Sequence, residues 1–154
     1  MNEQYVMSEH TIVIEREFDA PRELVWTLWT DPDEVAKWWG PEGFTTPRDR
    51  IEFDLRPGGV CRLTMVGPDG EEYPSDGHFR VVEPPERLSF GEESTDHPMI
   101  ESGETTIDFV DLGNDRTRVV VTSRMVCADE LVSMAKAGWA SQLDKLATLL
   151  ADRA

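Results

Sequence analysis

The three histidines of this 154-residue chain are its most direct candidates for holding a metal or moving a proton. His10, His78 and His97 lie far apart, and none belongs to an HxH, HExxH or Cys/His pattern. The sequence also has no GxSxG elbow, no P-loop and no GxGxxG motif after a strand. We therefore predict no metal and no cofactor, with a metal site assembled from distant residues as the minor alternative.

Other polar side chains that could act on a ligand occur in two segments with the alternating pattern of strands. Because successive side chains of a strand point to opposite faces, His78 and Arg80 share one face and Phe79 takes the other. On the inner face of a sheet, His78 and Arg80 could bind a carboxylate or an enol, or act as a general acid. On the outer face they would meet solvent. Asp108, in a later predicted strand, could likewise lie on the inner or the outer face. The sequence leaves the orientation of both strands open.

A long amphipathic helix is predicted between Ala128 and Ala151. Its apolar residues recur at three- and four-residue steps, which gives one apolar face over some six turns. These residues are Leu131, Met134, Ala135, Trp139, Leu143, Leu146, Leu149 and Leu150. Gly138 costs about 1 kcal/mol relative to alanine inside a helix, so it indicates either a close neighbour or space left free. Trp139 beside it is the best candidate for a pocket wall, with core packing as the alternative.

The rest of the chain predicts strands and two short helices. A period of two indicates strands near 10–18, 44–54, 60–66, 71–83, 86–93, 103–111 and 116–126. The short turns between them favour sequential antiparallel pairing. One short helix begins near Pro21, and a second follows with Asp31 as its cap and Pro32 in its first turn. Residues 94–102 are the least regular segment and are predicted to form a loop.

These elements predict an α+β fold in which a curved antiparallel sheet of about seven strands surrounds the long helix. We expect residues 10–152 to form a single domain and residues 1–9 to be a disordered tail. A curved sheet and a helix leave a gap between them unless large side chains fill it, and such gaps are common small-molecule sites.

Several motifs in fixed order resemble a known family over roughly residues 10–151. They are Pro21-Arg22-Glu23-Leu24-Val25-Trp26, Asp31-Pro32, Trp38-Trp39-Gly40-Pro41, Asp54-Leu55-Arg56-Pro57-Gly58-Gly59, Asp69-Gly70, Pro84-Pro85-Glu86-Arg87-Leu88, Asp115-Arg116-Thr117-Arg118-Val119 and Gly138-Trp139 with Leu143 and Leu146. The chain is similar to bacterial proteins named for the activator of heat-shock-protein-90 ATPase homologue (AHSA-type). They belong to the START-like, or SRPBCC, superfamily. The resemblance implies the helix-grip fold, also called birch-pollen-allergen-like, whose members bind lipids, hormones or polyketides, while some act as cyclases.

Composition limits the partners of the chain. The chain has 15 Lys and Arg residues and 31 Asp and Glu residues, which gives a formal net charge of -16. This charge disfavours binding to nucleic acid and to anionic membranes. No apolar run has the length of a signal peptide or a membrane span, so we predict a cytoplasmic protein. Cys61 and Cys127 have the pattern of buried apolar residues, and the sequence leaves a disulfide between them open.

The sequence favours a binding protein for a small hydrophobic or aromatic ligand, lipid- or polyketide-like, that acts without a cofactor as a monomer or homodimer. The candidate lining residues are Trp38, Trp39, Phe44, Met65, His78, Phe90, Met134, Trp139 and Leu143. One alternative is a cyclase or hydrolase that uses the same cavity, with His78, Arg80 or Asp108 as its polar groups. A second alternative is a co-chaperone-like module that activates an ATPase.

Overall fold

One antiparallel sheet, covered on its inner face by a long helix, organises the chain. The computed structural model describes residues 6–92, 95 and 99–153. The strands of this described part are β1 (Met7–Phe18), β2 (Glu52–Phe53), β3 (Val60–Val66), β4 (Glu72–Glu83), β5 (Arg87–Glu92), β6 (Ile100–Gly113) and β7 (Arg116–Ala128). The helices are α1 (Arg22–Thr30), α2 (Pro32–Val35) and α3 (Leu131–Ala151). The 7 strands lie in the order β1-β7-β6-β5-β4-β3-β2, which confirms the predicted α+β class and strand number.

The first strand begins earlier than predicted. Met7 pairs with Ala128 and Glu9 pairs with Val126, so residues 7–9 belong to the sheet and not to a tail. Strand β7 continues to Ala128 and offers β1 a partner along this whole length. The same continuation of β7 moves the start of the long helix from the predicted Ala128 to Leu131.

The predicted strand at 44–54 is mostly wrong. Only Glu52–Phe53 are strand, Thr45 forms an isolated bridge with Val66, and Arg48–Arg50 form a short 3-10 turn. Pro47 precedes that turn, and a proline has no backbone N–H to donate to a ladder and restricts its own φ. Of the predicted loop at 94–102, residues 100–102 belong instead to β6. Residues 93–94 and 96–98 lie outside the described part of the chain.

The two short helices close one end of the sheet. As predicted, Asp31 caps α2 by accepting a hydrogen bond at 3.0 Å from the backbone N–H of Asp33, and Pro32 occupies the first position. Helix α2 ends at Val35, so Trp38 and Trp39 follow it in a turn and bend back toward the core.

Glycines in three neighbouring strands allow the sheet to curl. A Cβ added at Gly77 would lie 2.4 Å from the carbonyl oxygen of Gly91, and one added at Gly91 would lie 2.3 Å from that of Gly103. No side chain fits at either position, because the neighbouring backbone occupies the space. Glycine is therefore required at both positions for the close approach of these backbones.

The main core lies between the inner face of the sheet and helices α1 and α3. Leu143, Leu146 and Leu150 contribute the core side of α3. Trp38 is fully buried, and its Nε1 donates a hydrogen bond at 2.8 Å to the backbone oxygen of Leu28, so its one polar atom is satisfied. Among the described helices, none is long and apolar enough to cross a membrane.

Candidate ligand-binding cavity

A cavity of about 340 Å³ separates α3 from the inner face of the sheet. The edge strands β2 and β3 contribute one part of its wall, through Phe53, Cys61, Leu63 and Met65. Strands β4 and β5 contribute the next part, through Ser75, Phe79, Leu88 and Phe90. The alternation of these residues along each strand places them on the face that points toward the helix.

The opposite wall is one stripe of α3 together with the end of α1 and the segment that follows α2. The helix contributes Ala135, Gly138, Trp139 and Gln142, which are spaced by three, one and three residues and therefore share a face. Trp29, Trp39 and Pro41 complete the lining. Together the two walls form a mainly apolar site of the size that small-molecule pockets have.

Gly138 leaves open space in this helical wall. A Cβ added to Gly138 would meet nothing within 4 Å, although the residue lines the cavity. Of the two readings open from the sequence, a close neighbour and free space, the structure supports free space. The glycine therefore contributes to the volume of the cavity at the expense of helix propensity.

Three tryptophans form a continuous aromatic wall. The Trp29 and Trp139 rings stack with centroids 6.2 Å apart, and Trp39 meets Trp139 edge-on at 5.8 Å. Trp39 also packs edge-on against Phe90, another lining residue, with ring centroids 6.0 Å apart. Edge-to-face and stacked pairs of this kind hold large rings in defined positions, so packing fixes this part of the cavity wall.

Lys145 anchors the segment that carries Trp39. Its Nζ donates hydrogen bonds to the backbone oxygens of Gly40 at 3.0 Å and Phe44 at 3.2 Å. Burial lowers the pKa of this ammonium group, and nearby Glu42 raises it by a smaller amount. Lys145 also lines a second, outer cavity of about 690 Å³ between α3 and this segment.

Four of the predicted lining residues lie in the cavity wall, and five do not. Trp39, Met65, Phe90 and Trp139 line the cavity, and their role in ligand binding stays a prediction. Trp38 and Leu143 do not line it, because both are fully buried in the core. Phe44 packs against Tyr73, with ring centroids 5.6 Å apart, and lines the outer cavity instead.

Met134 and His78 are also outside the lining. Met134 is 64% exposed, because it lies at the edge of the apolar stripe that turns away from the sheet. His78 is exposed on the outer face of β4, while its neighbour Phe79 is only 1% exposed and faces the cavity. The packing of Phe79 against Phe53, with ring centroids 5.3 Å apart, settles this register.

The other two polar candidates share the outer face. Arg80 lies 3.9 Å from Glu104, and Asp108 pairs with Arg87 at 2.7 Å. Ile107, next to Asp108, is fully buried on the inner face. His78, Arg80 and Asp108, the candidates for acid–base chemistry, therefore do not line the cavity.

Within the described residues, no group of three or more His, Cys, Asp and Glu side chains is placed to hold a metal ion. The two cysteines are free and buried, which answers the disulfide question left open by the sequence.

Comparison with known protein families matches residues 19–151 to the family described as "Activator of Hsp90 ATPase homolog 1-like protein". The chain belongs to this family. The match spans most of the sequence and confirms the resemblance inferred from the ordered motifs. Comparison with curated proteins finds no match.

Solved structures of similar proteins have the same fold. The AHSA1 protein of Silicibacter pomeroyi is 28% identical with a TM-score of 0.81, over 94% of this chain and 100% of that one. Protein CV1439 of Chromobacterium violaceum is 27% identical with a TM-score of 0.79, over 91% of this chain and 96% of that one. Protein Ms6760 of Mycobacterium smegmatis is 28% identical with a TM-score of 0.73, over 91% of this chain and 90% of that one. The helix-grip fold predicted for this AHSA1-like chain is thereby confirmed.

Gln142 is the lining residue of this AHSA1-like protein that sequence reasoning should have found. It follows Trp139 by three residues and precedes Leu146 by four, so it lies on the apolar face of α3. A polar residue on a buried stripe is an informative signal. The other unanticipated lining residues, such as Phe53, Leu63 and Leu88, resemble ordinary core residues in the sequence.

Cys61 should be unreactive in the native protein. Burial, together with the nearby Glu92 carboxylate, raises the pKa of its thiol to about 12. In a Cys127→Ala variant, which leaves Cys61 as the single thiol, we expect alkylation by iodoacetamide at pH 8 to be much slower than in urea. Mass spectrometry of timed samples measures both rates.

The same pKa shift has a consequence for stability. An unfolded thiol loses its proton above about pH 8.5, whereas the folded thiol retains it up to about 12. The contribution of Cys61 to the free energy of unfolding is therefore complete below pH 8.5 and declines as the pH rises through this window.

Equal alkylation rates for the Cys127→Ala variant in native buffer and in urea would contradict the burial of Cys61.

Proposed function

We propose that this chain binds a small apolar or aromatic molecule, lipid- or polyketide-like, in the cavity between α3 and the sheet. The observation that carries the proposal is a preformed space of about 340 Å³ lined by aromatic and aliphatic side chains. Gly138 supports it, because a side chain there would occupy the space at no cost to helix formation. A cytoplasmic location and a monomeric or homodimeric state are parts of the same proposal.

The cavity favours binding over catalysis. Among the described residues, its lining contains no Asp, Glu, His, Lys or Arg side chain. The Cys61 thiol retains its proton at neutral pH, since its pKa is about 12. A cyclase or hydrolase needs a group that exchanges a proton with its substrate near neutral pH, and these walls do not supply one.

Tryptophan fluorescence tests the proposal directly. Three of the five tryptophans, Trp29, Trp39 and Trp139, line the cavity, so a bound ligand should change the emission spectrum. Ligand that binds only the folded state should also raise Tm, by an amount that increases with ligand concentration. We expect both effects with at least one member of a library of lipids, polyketides and neutral aromatic compounds.

The matched controls are Trp139→Phe and Trp26→Phe. Trp26 is buried against Phe109, with ring centroids 5.3 Å apart, and does not line the cavity. Its replacement should preserve the ligand-induced change in emission, while replacement of Trp139 should reduce it. A library that changes neither the emission nor the Tm of the native chain would refute the proposal.

The family's name raises a second function, the activation of an Hsp90-type ATPase. Such a module would bind its chaperone through exposed surface and not through a cavity. The large apolar side chains exposed in the described part, among them Val13, Val110 and Met134, come from separate elements. Addition of this chain to an Hsp90-type chaperone should leave its ATPase rate unchanged, and a stimulated rate would favour the second function.

A further inference from the structure

Two buried N–H groups, both on residues that line the cavity, have no hydrogen-bond acceptor in the described part of the protein. Gln142 is 6% exposed and Trp29 is 2% exposed, and both line the cavity. Within the part of the chain that the structure describes, neither the Nε2 atom of Gln142 nor the Nε1 atom of Trp29 has a hydrogen-bond partner. Buried polar groups in native proteins are almost always paired, so unpaired donors at a cavity indicate a missing acceptor.

Two other polar side chains of the lining are paired or weak. The hydroxyl of Ser75 donates a hydrogen bond to Oε1 of Glu92 at 3.3 Å. The Cys61 thiol is only a weak donor. Among the described residues of the lining, the buried side-chain donors that lack a partner are therefore those of Trp29 and Gln142.

We propose that the ligand of this cavity carries a neutral hydrogen-bond acceptor, of the ketone, ester or amide carbonyl type, that the indole N–H of Trp29 and the amide of Gln142 bind. This inference rests on the proposed binding function and specifies its ligand. An indole N–H is a donor in every state, whereas the Gln142 amide can present its NH₂ group by rotation of its last torsion. An acceptor on the ligand satisfies both groups.

The acceptor on the ligand should be neutral, because the described lining contains no cationic side chain. No Lys, Arg or His side chain among the described residues of the wall could balance a carboxylate or a phosphate. A buried charge without a partner is far more costly than a buried carbonyl that accepts hydrogen bonds. Fatty acids and other anions are therefore disfavoured relative to neutral aromatic ketones and esters.

Three naphthalene derivatives substituted at the same ring position separate these properties. Acetylnaphthalene offers a carbonyl acceptor, isopropenylnaphthalene has nearly the same shape without one, and naphthoate carries a charge. Equilibrium dialysis and the shift in Tm measure binding of each compound to the native chain. We expect the ketone to bind about tenfold more tightly than the hydrocarbon, and naphthoate to bind more weakly than the ketone.

Variants assign the preference to its residues. Gln142→Leu removes the polar group and preserves the size of the side chain, so the ketone should lose most of its advantage over the hydrocarbon. The same variant should have a higher Tm without ligand, because it removes an unpaired buried amide. Ser123→Ala is the matched control, since Ser123 is buried outside the cavity and its hydroxyl already bonds to Thr105, and it should retain the full preference. If Gln142→Leu does not fold, Trp29→Phe removes the other donor, the indole N–H, and tests the same preference.

Each other outcome is decisive. Equal binding of ketone and hydrocarbon to the native chain would overturn this inference and leave the binding function intact, with water in place of the ligand oxygen. A preference that survives in both Gln142→Leu and Trp29→Phe would overturn the assignment of the donors. Tighter binding of naphthoate would overturn the neutral acceptor. Failure of all three compounds and of the wider library to bind would refute the binding function and this inference with it.

Discussion

Replacement of Gly138 by leucine should weaken binding of any cavity ligand by at least about tenfold, or about 1.4 kcal/mol. Gly138 lies on the cavity stripe of α3 between Ala135 and Gln142, and a Cβ there meets no atom within 4 Å. A leucine side chain would extend into that space and occupy volume that the ligand needs. Titration of acetylnaphthalene, or of any compound found to bind the native chain, measures the change in Kd.

Two control variants separate loss of space from loss of fold. Gly138→Ala adds only a methyl group, and we expect it to increase the free energy of unfolding by about 1 kcal/mol and Tm by ~2–4 °C, through helix propensity. Ala137→Leu adds a leucine at the adjacent, exposed position of α3 and should bind ligand as the native chain does. A Gly138→Leu protein that folds and retains its affinity would show that the ligand binds elsewhere.

Replacement of Gly91 by alanine should destabilise the fold by about 3 kcal/mol, which corresponds to a decrease in Tm of ~6–12 °C. The added Cβ would lie 2.3 Å from the carbonyl oxygen of Gly103 and 2.8 Å from the Cα of Glu104. Both neighbours are backbone atoms of β6, so the contact is relieved only if β5 and β6 move apart. Urea denaturation measures the effect as a lower midpoint with an unchanged m value.

Gly103→Ala is the control for this prediction. It makes the same chemical change in the neighbouring strand, where the added Cβ would meet the Cγ of Met125 at 3.7 Å, an ordinary contact. We expect its stability to lie within about 0.5 kcal/mol of the native chain. Equal destabilisation by the two substitutions would mean that loss of glycine, and not the approach of the strands, determines the effect.

The helix α3 shows how far periodicity alone reaches. Its recurring apolar residues predicted the helix, its end at Ala151 and the burial of Leu143 and Leu146, all of which the structure contains. Periodicity did not predict which edge of the stripe faces the cavity. Met134 at one edge is exposed, whereas Gln142 at another lines the cavity, because the position of the sheet decides which part of a broad stripe is covered.

The strand β4 shows the same limit for the sheet. Alternation established that His78 and Phe79 face opposite ways, but a period of two fits both registers equally well. Contact of Phe79 with Phe53 in another strand assigns the inner face, and with it removes His78 from the cavity.

The sequence by itself determined the class of fold, the family, the long helix and the alternation of the strands, since these follow from local periodicity and from motifs in fixed order. Only the tertiary structure decided which side chains border the cavity, that Gly138 leaves space there, and that the buried donors of Trp29 and Gln142 in its wall lack a partner. The physical reason is that a cavity wall is built from residues distant in the chain, and whether a polar atom is paired depends on every neighbour that packs around it.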